Sequence, residues 1–129
     1  MKEIWYPTSN DIISINKQIL NKVKITKAEK HELKIGGKRK IENVIQEAIE
    51  SKGSIEHKAS ILLRGINQAH SFGSANKRTG YLVARMFLSK NKGKRINKYE
   101  KNTNGLKNFG LKVRAGKVKD KDIEKFLNK

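Results

Sequence analysis

Apolar residues recur three or four places apart along almost the whole chain, and that spacing decides what it can fold into. Ile55, Ala59, Leu62, Leu63, Ile66 and Ala69 line one face of a helix running from Ser54 to Ala69, because an α-helix brings positions i, i+3, i+4 and i+7 to the same side. The same pattern appears at Ile12, Ile15, Ile19 and Val23, and again at Ile41, Val44, Ile45, Ala48 and Ile49. The run Pro7-Thr8-Ser9-Asn10-Asp11 supplies caps and an early carboxylate for the first stripe, and the second stops before Lys52-Gly53, where glycine can close a helix. A fourth helix starts near Ala75, carries Leu82, Val83, Met86 and Phe87 inward, and ends at Asn91-Lys92-Gly93-Lys94. Its apolar content suits the central helix of a bundle. Beyond it, Asn102-Thr103-Asn104-Gly105 reads as a breaker in the less regular stretch from Ile96 to Leu111, before a short helix from Leu106 to Arg114. Asp120 caps a last helix with Ile123, Phe126 and Leu127 inward. Each stripe must be covered by another, so the predicted fold is all-α, a bundle of about five to six helices.

Length and composition set the frame. At 129 residues the chain is expected to form one domain, residues 1–129. It has no cysteine, which removes disulfides and thiolate metal sites, and its three scattered histidines do not suit a structural zinc site. No apolar run reaches membrane-spanning length and the first residues lack a secretory pattern, so the expected location is cytoplasmic with no membrane partner. The formal net charge of +18 would attract phosphate backbones without sequence preference. Lys, Asn and Ile, residues of A- and T-rich codons, are all abundant, however. The cations are dispersed and few aromatics are available to stack on bases. A solvated basic surface, with nucleic-acid binding at most non-specific, is the reading that follows.

One segment interrupts the helical pattern with a different chemistry. His70-Ser71-Phe72-Gly73-Ser74-Ala75-Asn76-Lys77-Arg78-Thr79-Gly80 ends one periodic segment and opens the next. A helix starting near Ala75 aims free backbone N–H groups and its positive dipole end at the preceding loop, the arrangement that holds a phosphate. Lys77 and Arg78 add full positive charges, and His70 is a base that titrates near neutral pH. Phe72 is an anchor in the core. A base beside an anion site suggests phosphoryl or nucleotidyl transfer. Taken singly, His70 and Asn76 could equally be helix caps, and Lys77 and Arg78 solvated charges.

Taken together, these residues resemble the signature of the Fic/Doc superfamily, His-x-Phe-x-(Asp/Glu)-(Gly/Ala)-Asn-(Gly/Lys)-Arg, with His70, Phe72, Ala75, Asn76, Lys77 and Arg78 on pattern positions. The Ala-Asn-Lys-Arg-Thr form is similar to the Doc (death on curing) branch. Phe87-Leu88-Ser89-Lys90-Asn91, Arg114-Ala115-Gly116-Lys117-Val118 and Tyr6-Pro7 extend the likeness to most of the chain. The resemblance implies ATP and Mg2+ as cofactors, with His70 as general base, Asn76 orienting phosphates or metal, and Lys77 and Arg78 neutralising phosphate charge. It implies a nucleotide site over Gly73, Ser74, Ala75, Asn76, Lys77 and Arg78. Where active relatives carry an acidic magnesium ligand, this chain has Ser74, a weak neutral one. Three readings stay open: a weakened enzyme, a site completed by another acidic residue, or a nucleotide-binding module without turnover.

The resemblance also bears on substrate and reaction. Glu32-Leu33-Lys34-Ile35-Gly36-Gly37-Lys38-Arg39 alternates briefly and then breaks at paired glycines, as a short β-hairpin would. In the resembled family a flap at this place docks the target as an added strand, which would involve Leu33, Lys34 and Ile35; an ordinary basic loop is the alternative. AMP-transferring relatives carry Gly before the motif arginine and a second arginine three residues after it, where this chain has Lys77 and Tyr81. Doc-type proteins with Lys there bind the nucleotide reversed and pass the γ-phosphate to a threonine of a translation elongation factor. That favours a kinase over an adenylyltransferase (AMPylation). Arg85, a turn beyond Tyr81, could face a phosphate or solvent. No Ser or Thr has Glu four residues later, the inhibitory pattern of many relatives, so an acidic antitoxin in trans is the expected partner beside the protein substrate.

Overall fold

The computed structural model describes residues 3–22, 33–73, 75–93 and 103–127. Among them six helices follow in order: α1 (Ser9–Lys22), α2 (Gly37–Glu50), α3 (Ile55–Ala69), α4 (Asn76–Lys92), α5 (Thr103–Arg114) and α6 (Asp120–Leu127). The all-α expectation holds. α1 opens on a capping box: the Thr8 hydroxyl accepts from the Asp11 N–H at 3.1 Å, and the Asp11 carboxylate accepts from the Thr8 N–H at 2.8 Å. Ile12, Ile15 and Ile19 are buried as their spacing requires, while Val23 lies outside the described residues. α3 likewise starts on a cap, with the Ser54 hydroxyl accepting from the His57 N–H at 3.1 Å.

The centre of the bundle is α3 rather than α4 alone. α3 packs against α2, α4, α5 and α6, and α1 covers α4 and α2. The reason is visible in burial, since Ala59, Ile61, Leu62, Leu63 and Ile66 all lose nearly all contact with water. α4 turns Val83, Ala84, Phe87 and Leu88 inward and leaves Leu82 and Met86 half-buried. On α2, Ile41, Val44, Ile45 and Ala48 are buried but Ile49 is exposed, one step off the stripe. No helix among the described residues is long and apolar enough to cross a membrane.

Two interior cations close helix ends. Lys58, almost fully buried on α3, donates from Nζ to the carbonyls of Ala48 at 2.8 Å and Ser51 at 2.5 Å, with that of Ile49 at 3.5 Å. The ammonium therefore sits at the negative end of the α2 dipole and satisfies carbonyls that have no intrahelical donor. Gly53, expected to close α2, instead donates its N–H to the Ser51 hydroxyl. Arg85 is buried on α4 and donates to the Leu127 carbonyl, tying α4 to the end of α6. It does not point to solvent. At the far end of α4 the Asn91 amide brackets one residue of the N-terminal segment, accepting from the Trp5 N–H at 2.8 Å and donating to the Trp5 carbonyl at 2.9 Å.

The C-terminal third departs from the expected boundaries. α5 begins at Thr103, so Thr103-Asn104-Gly105 lies inside its first turn and does not break it; residues 94–102 lie outside the described residues. Its end is a Schellman motif, with Lys117 N–H bonded to the Lys112 carbonyl at 2.9 Å, Gly116 N–H to the Val113 carbonyl at 3.0 Å, and Gly116 at φ 71°. In α6, Ile123 and Leu127 are buried and Phe126 stacks on Phe109 with ring centroids 4.2 Å apart. Asp120 is the first helical residue rather than the cap, and it pairs with Arg64 at 3.0 Å.

The short β-hairpin expected over residues 32–39 is absent among the described residues. Ile35 and Gly36 form a turn, Gly36 takes φ 77°, and α2 begins at once at Gly37. Leu33 makes a single isolated antiparallel bridge to Phe72; Glu32 lies outside the described residues. The paired glycines serve two other needs. Gly36 supplies the left-handed residue before the helix, and a Cβ on Gly37 would stand 2.6 Å from the Ser71 carbonyl oxygen. Helix and loop meet backbone to backbone there.

Replacing Lys58 by Met leaves the apolar stem and removes the ammonium, so the end of α2 loses its donors. Urea unfolding of Lys58→Met is expected to show a loss of about 2 kcal/mol, with little change in helix content before the transition.

Candidate functional site

The loop between α3 and α4 is built on two unfavourable backbone conformations. His70 closes α3 at φ 50° and ψ 46°, and Ala75 precedes α4 at φ 64° and ψ 26°. They are the two non-glycine residues with positive φ among the described residues, and each left-handed residue costs roughly 1–2 kcal/mol against its right-handed form. Strain of this kind persists where the surroundings over-determine it. Here Phe72 provides one constraint, its side chain wholly within the core. Asn76, the first residue of α4, provides the other.

The Asn76 amide is oriented by the backbone of a single residue. Its Oδ1 accepts from the Phe72 N–H at 3.1 Å and its Nδ2 donates to the Phe72 carbonyl at 2.9 Å. No flipped arrangement serves both groups, because an N–H needs an acceptor and a carbonyl a donor. Nδ2 therefore also faces His70, with 3.3 Å to Nδ1. In the neutral tautomer protonated on Nε2, Nδ1 is free to accept from that amide. At 3.3 Å the contact lies beyond the usual range of N–H hydrogen bonds, so the ring is steered rather than locked. Asn76 is buried, and its side chain acts on the loop and on His70.

The imidazole is held below its ordinary pKa. Partial burial is the main cause, and the positive charges of Arg114, Lys34, Lys40 and Lys77 push in the same direction. A neutral base at physiological pH is the result. The sign for stability follows from linkage. The folded imidazole binds protons more weakly than the unfolded one, so acidification from the ordinary value of 6.5 downward favours the unfolded chain. Above that range the contribution vanishes.

The other expected site residues divide between the loop and its surroundings. Lys77 and Arg78 are half-buried in the first turn of α4, Ala75 is half-buried before it, and Gly73 is exposed on the loop. Ser74 lies outside the described residues. The backbone N–H groups of Asn76, Lys77 and Arg78 have no intrahelical acceptor, while that of Thr79 is the first to find one, at the Ala75 carbonyl 2.9 Å away. Of the expected flap residues, Leu33 packs against the core, Lys34 donates its N–H to the Ser71 carbonyl at 2.8 Å, and Ile35 is fully exposed. Leu33 and Lys34 meet the loop directly, and Ile35 follows them in the turn. Tyr81 packs edge-on to Phe126, with centroids 5.8 Å apart. Sequence reading gave no role to Arg114 or Lys40, which belong to other helices, and no local pattern points to either.

Positive charge from several elements gathers around the loop. Cations from α2, α4, the end of α5 and the turn before α2 act on the space around His70. No group of three or more His, Asp or Glu side chains able to hold a metal ion is present among the described residues.

This helical frame and this loop have a family. The model of the Fic/DOC family matches residues 6–88, well over half of the chain, and the chain belongs to that family. No curated protein matches it.

Two outcomes are expected at His70. His70→Asn keeps a residue that tolerates the left-handed backbone, so its thermal unfolding should fall within about 1 kcal/mol of wild type. Asn76→Asp places a carboxylate against Nδ1 and should raise the His70 pKa, read from the imidazole proton resonances in an NMR titration.

Proposed function

We propose that this chain is a Doc-type toxin that transfers the γ-phosphate of ATP to a hydroxyl of a target protein, with a translation elongation factor as the target class its motif suggests. The observation that carries this is Lys77 in the first turn of α4, half-buried beside the His70 loop and contributing its charge there. A lysine at this place adds a cation where the chain end of the triphosphate must be neutralised. Tyr81, standing where AMP-transferring relatives carry a second arginine, is part of an aromatic cluster with Phe126 and Phe109. The basic side chains named around His70 suit a polyphosphate, and family members typically use ATP.

In this reading the attacking hydroxyl oxygen forms a bond to the γ-phosphorus, the bond from that phosphorus to the bridging oxygen breaks, and ADP leaves with both electrons. The hydroxyl proton passes to His70. A proton is accepted at Nε2 by the tautomer protonated on Nδ1, in which the 3.3 Å contact to Asn76 is given up. A bond that long costs little to break. Mg2+ is the usual companion of ATP and supplies charge neutralisation when bound, but the described residues offer it no carboxylate cluster. The side chains do the holding.

Ile35, exposed at the turn ahead of α2, is the contact we assign to the target, flanked by Leu33 and Lys34. An antitoxin with an acidic segment fits the basic surface, and attraction to nucleic acid would be salt-sensitive and non-specific. The proposed location is cytoplasmic, and the proposed unit is one domain over residues 1–129.

The test is label transfer in a lysate with magnesium and ATP, labelled on the γ- or the α-phosphate, with His70→Ala as control. His70-dependent label from the γ-phosphate alone is expected. Label from the α-phosphate would instead make the protein an adenylyltransferase, and ATP binding without transfer from either would make it a catalytically weak nucleotide-binding module. Ile35→Asp should lower transfer to the target while leaving ATP binding unchanged, because its side chain packs on nothing in the fold.

A further inference from the structure

α5 lies beyond the segment that matches the family, which ends at residue 88, yet it is attached directly beneath the loop. Asn67, buried on α3, donates from Nδ2 to the Gly110 carbonyl at 3.1 Å, and Gln68 donates from Nε2 to the Val113 carbonyl at 2.9 Å. These are the third and second residues before His70. The end of α5 is thus anchored to the end of α3, and the Schellman motif at Gly116 fixes where that helix stops.

Gly110 faces Lys77. A Cβ built there would stand 2.6 Å from Lys77 Cδ, 2.9 Å from Cγ and 3.2 Å from Cβ. The aliphatic stem of Lys77 therefore runs across α5 through the space that a side chain at 110 would fill. Such a course has a function in positioning, because a lysine stem otherwise samples many rotamers and holds its ammonium nowhere in particular. One turn further along, Arg114 is exposed at the helix end, directly after Val113, whose carbonyl is held by Gln68 two residues before His70. Among the four cations acting on His70 its charge has the largest effect.

We infer that α5 is a working wall of the anion site: Gly110 sets the course of the Lys77 side chain, and Arg114 supplies a further cation for the polyphosphate of a bound nucleotide. The inference rests on the nucleotide reading above and extends it to a segment outside the family match. Arg114 is assigned to ligand contact, and Gly110 is a positioning residue that acts through Lys77.

The geometry makes the proposal testable without disrupting the core. In Gly110→Ala the obstructed atoms belong to a flexible side chain, and alanine favours the helix, so the fold should persist while Lys77 moves. Arg114→Ala removes an exposed side chain, and Lys112→Ala removes the same charge from the same helix as a control.

The experiment is a calorimetric titration of each full-length variant with MgATP, together with NMR titration of the His70 ring. Gly110→Ala and Arg114→Ala should each weaken ATP binding by roughly tenfold, and Arg114→Ala should also raise the His70 pKa toward 6.5. Lys112→Ala should do neither. The groups facing His70 in that titration are Arg114, Lys34, Lys40 and Lys77 together with the Asn76 amide. Wild-type binding that is matched by both Gly110→Ala and Arg114→Ala overturns the inference and leaves the nucleotide reading intact. Wild-type protein that binds no ATP overturns both.

Discussion

The pairing of the Asn76 amide with both backbone groups of Phe72 is the interaction on which the rest of the site depends. It lets the chain leave α3, pass through the loop and begin α4 without a buried N–H or carbonyl at Phe72 left unpaired. Each unpaired group there would cost about 1–3 kcal/mol. Phe72 pulls the loop into the core, and Asn76 makes that position compatible with its polar backbone. The same amide nitrogen then faces His70 at 3.3 Å. The shape of the loop and the orientation of the imidazole thus both depend on one side chain.

Around that centre, the backbone of the turn before α2 is tied to the loop, and α5 is tied to the residues just ahead of it. The Lys34 N–H reaches the Ser71 carbonyl, and Gly37 leaves that carbonyl no room for a Cβ. Asn67 and Gln68 hold α5 by its carbonyls. Elements far apart in sequence thereby surround a base with positive charge. The core that supports them is ordinary apolar packing on α3.

How far the sequence carried this picture depended on whether the deciding contact was local. The stripes on α1 to α4 and the capping run ahead of α1 depend on neighbours within one or two turns, and each could be read from spacing. Gly36-Gly37 could not be. Paired glycines suit a hairpin turn as well as a helix start, and the deciding contact is with Ser71, thirty-four positions away from Gly37. Arg85 and Lys58 failed to announce themselves for the same reason, since their partners are carbonyls at the ends of other helices. Thr103-Asn104-Gly105 has breaker composition, yet α5 includes it because the helix is held further along by Asn67 and Gln68. The motif residues were legible as a group, but the commitment of the Asn76 side chain to Phe72 was not.

The burial of Lys58 and Arg85 also changes what the formal charge of +18 means for the molecule. Two of its cations are held inside against carbonyl oxygens at helix ends, where dissolved ions do not reach them, while those at the surface repel one another through water. Ionic strength acts on the second group and leaves the first alone. Added salt therefore relieves strain in the folded state without loosening its internal ties, and the protein is built to be steadier in concentrated electrolyte, or beneath a covering of anions, than in dilute solution.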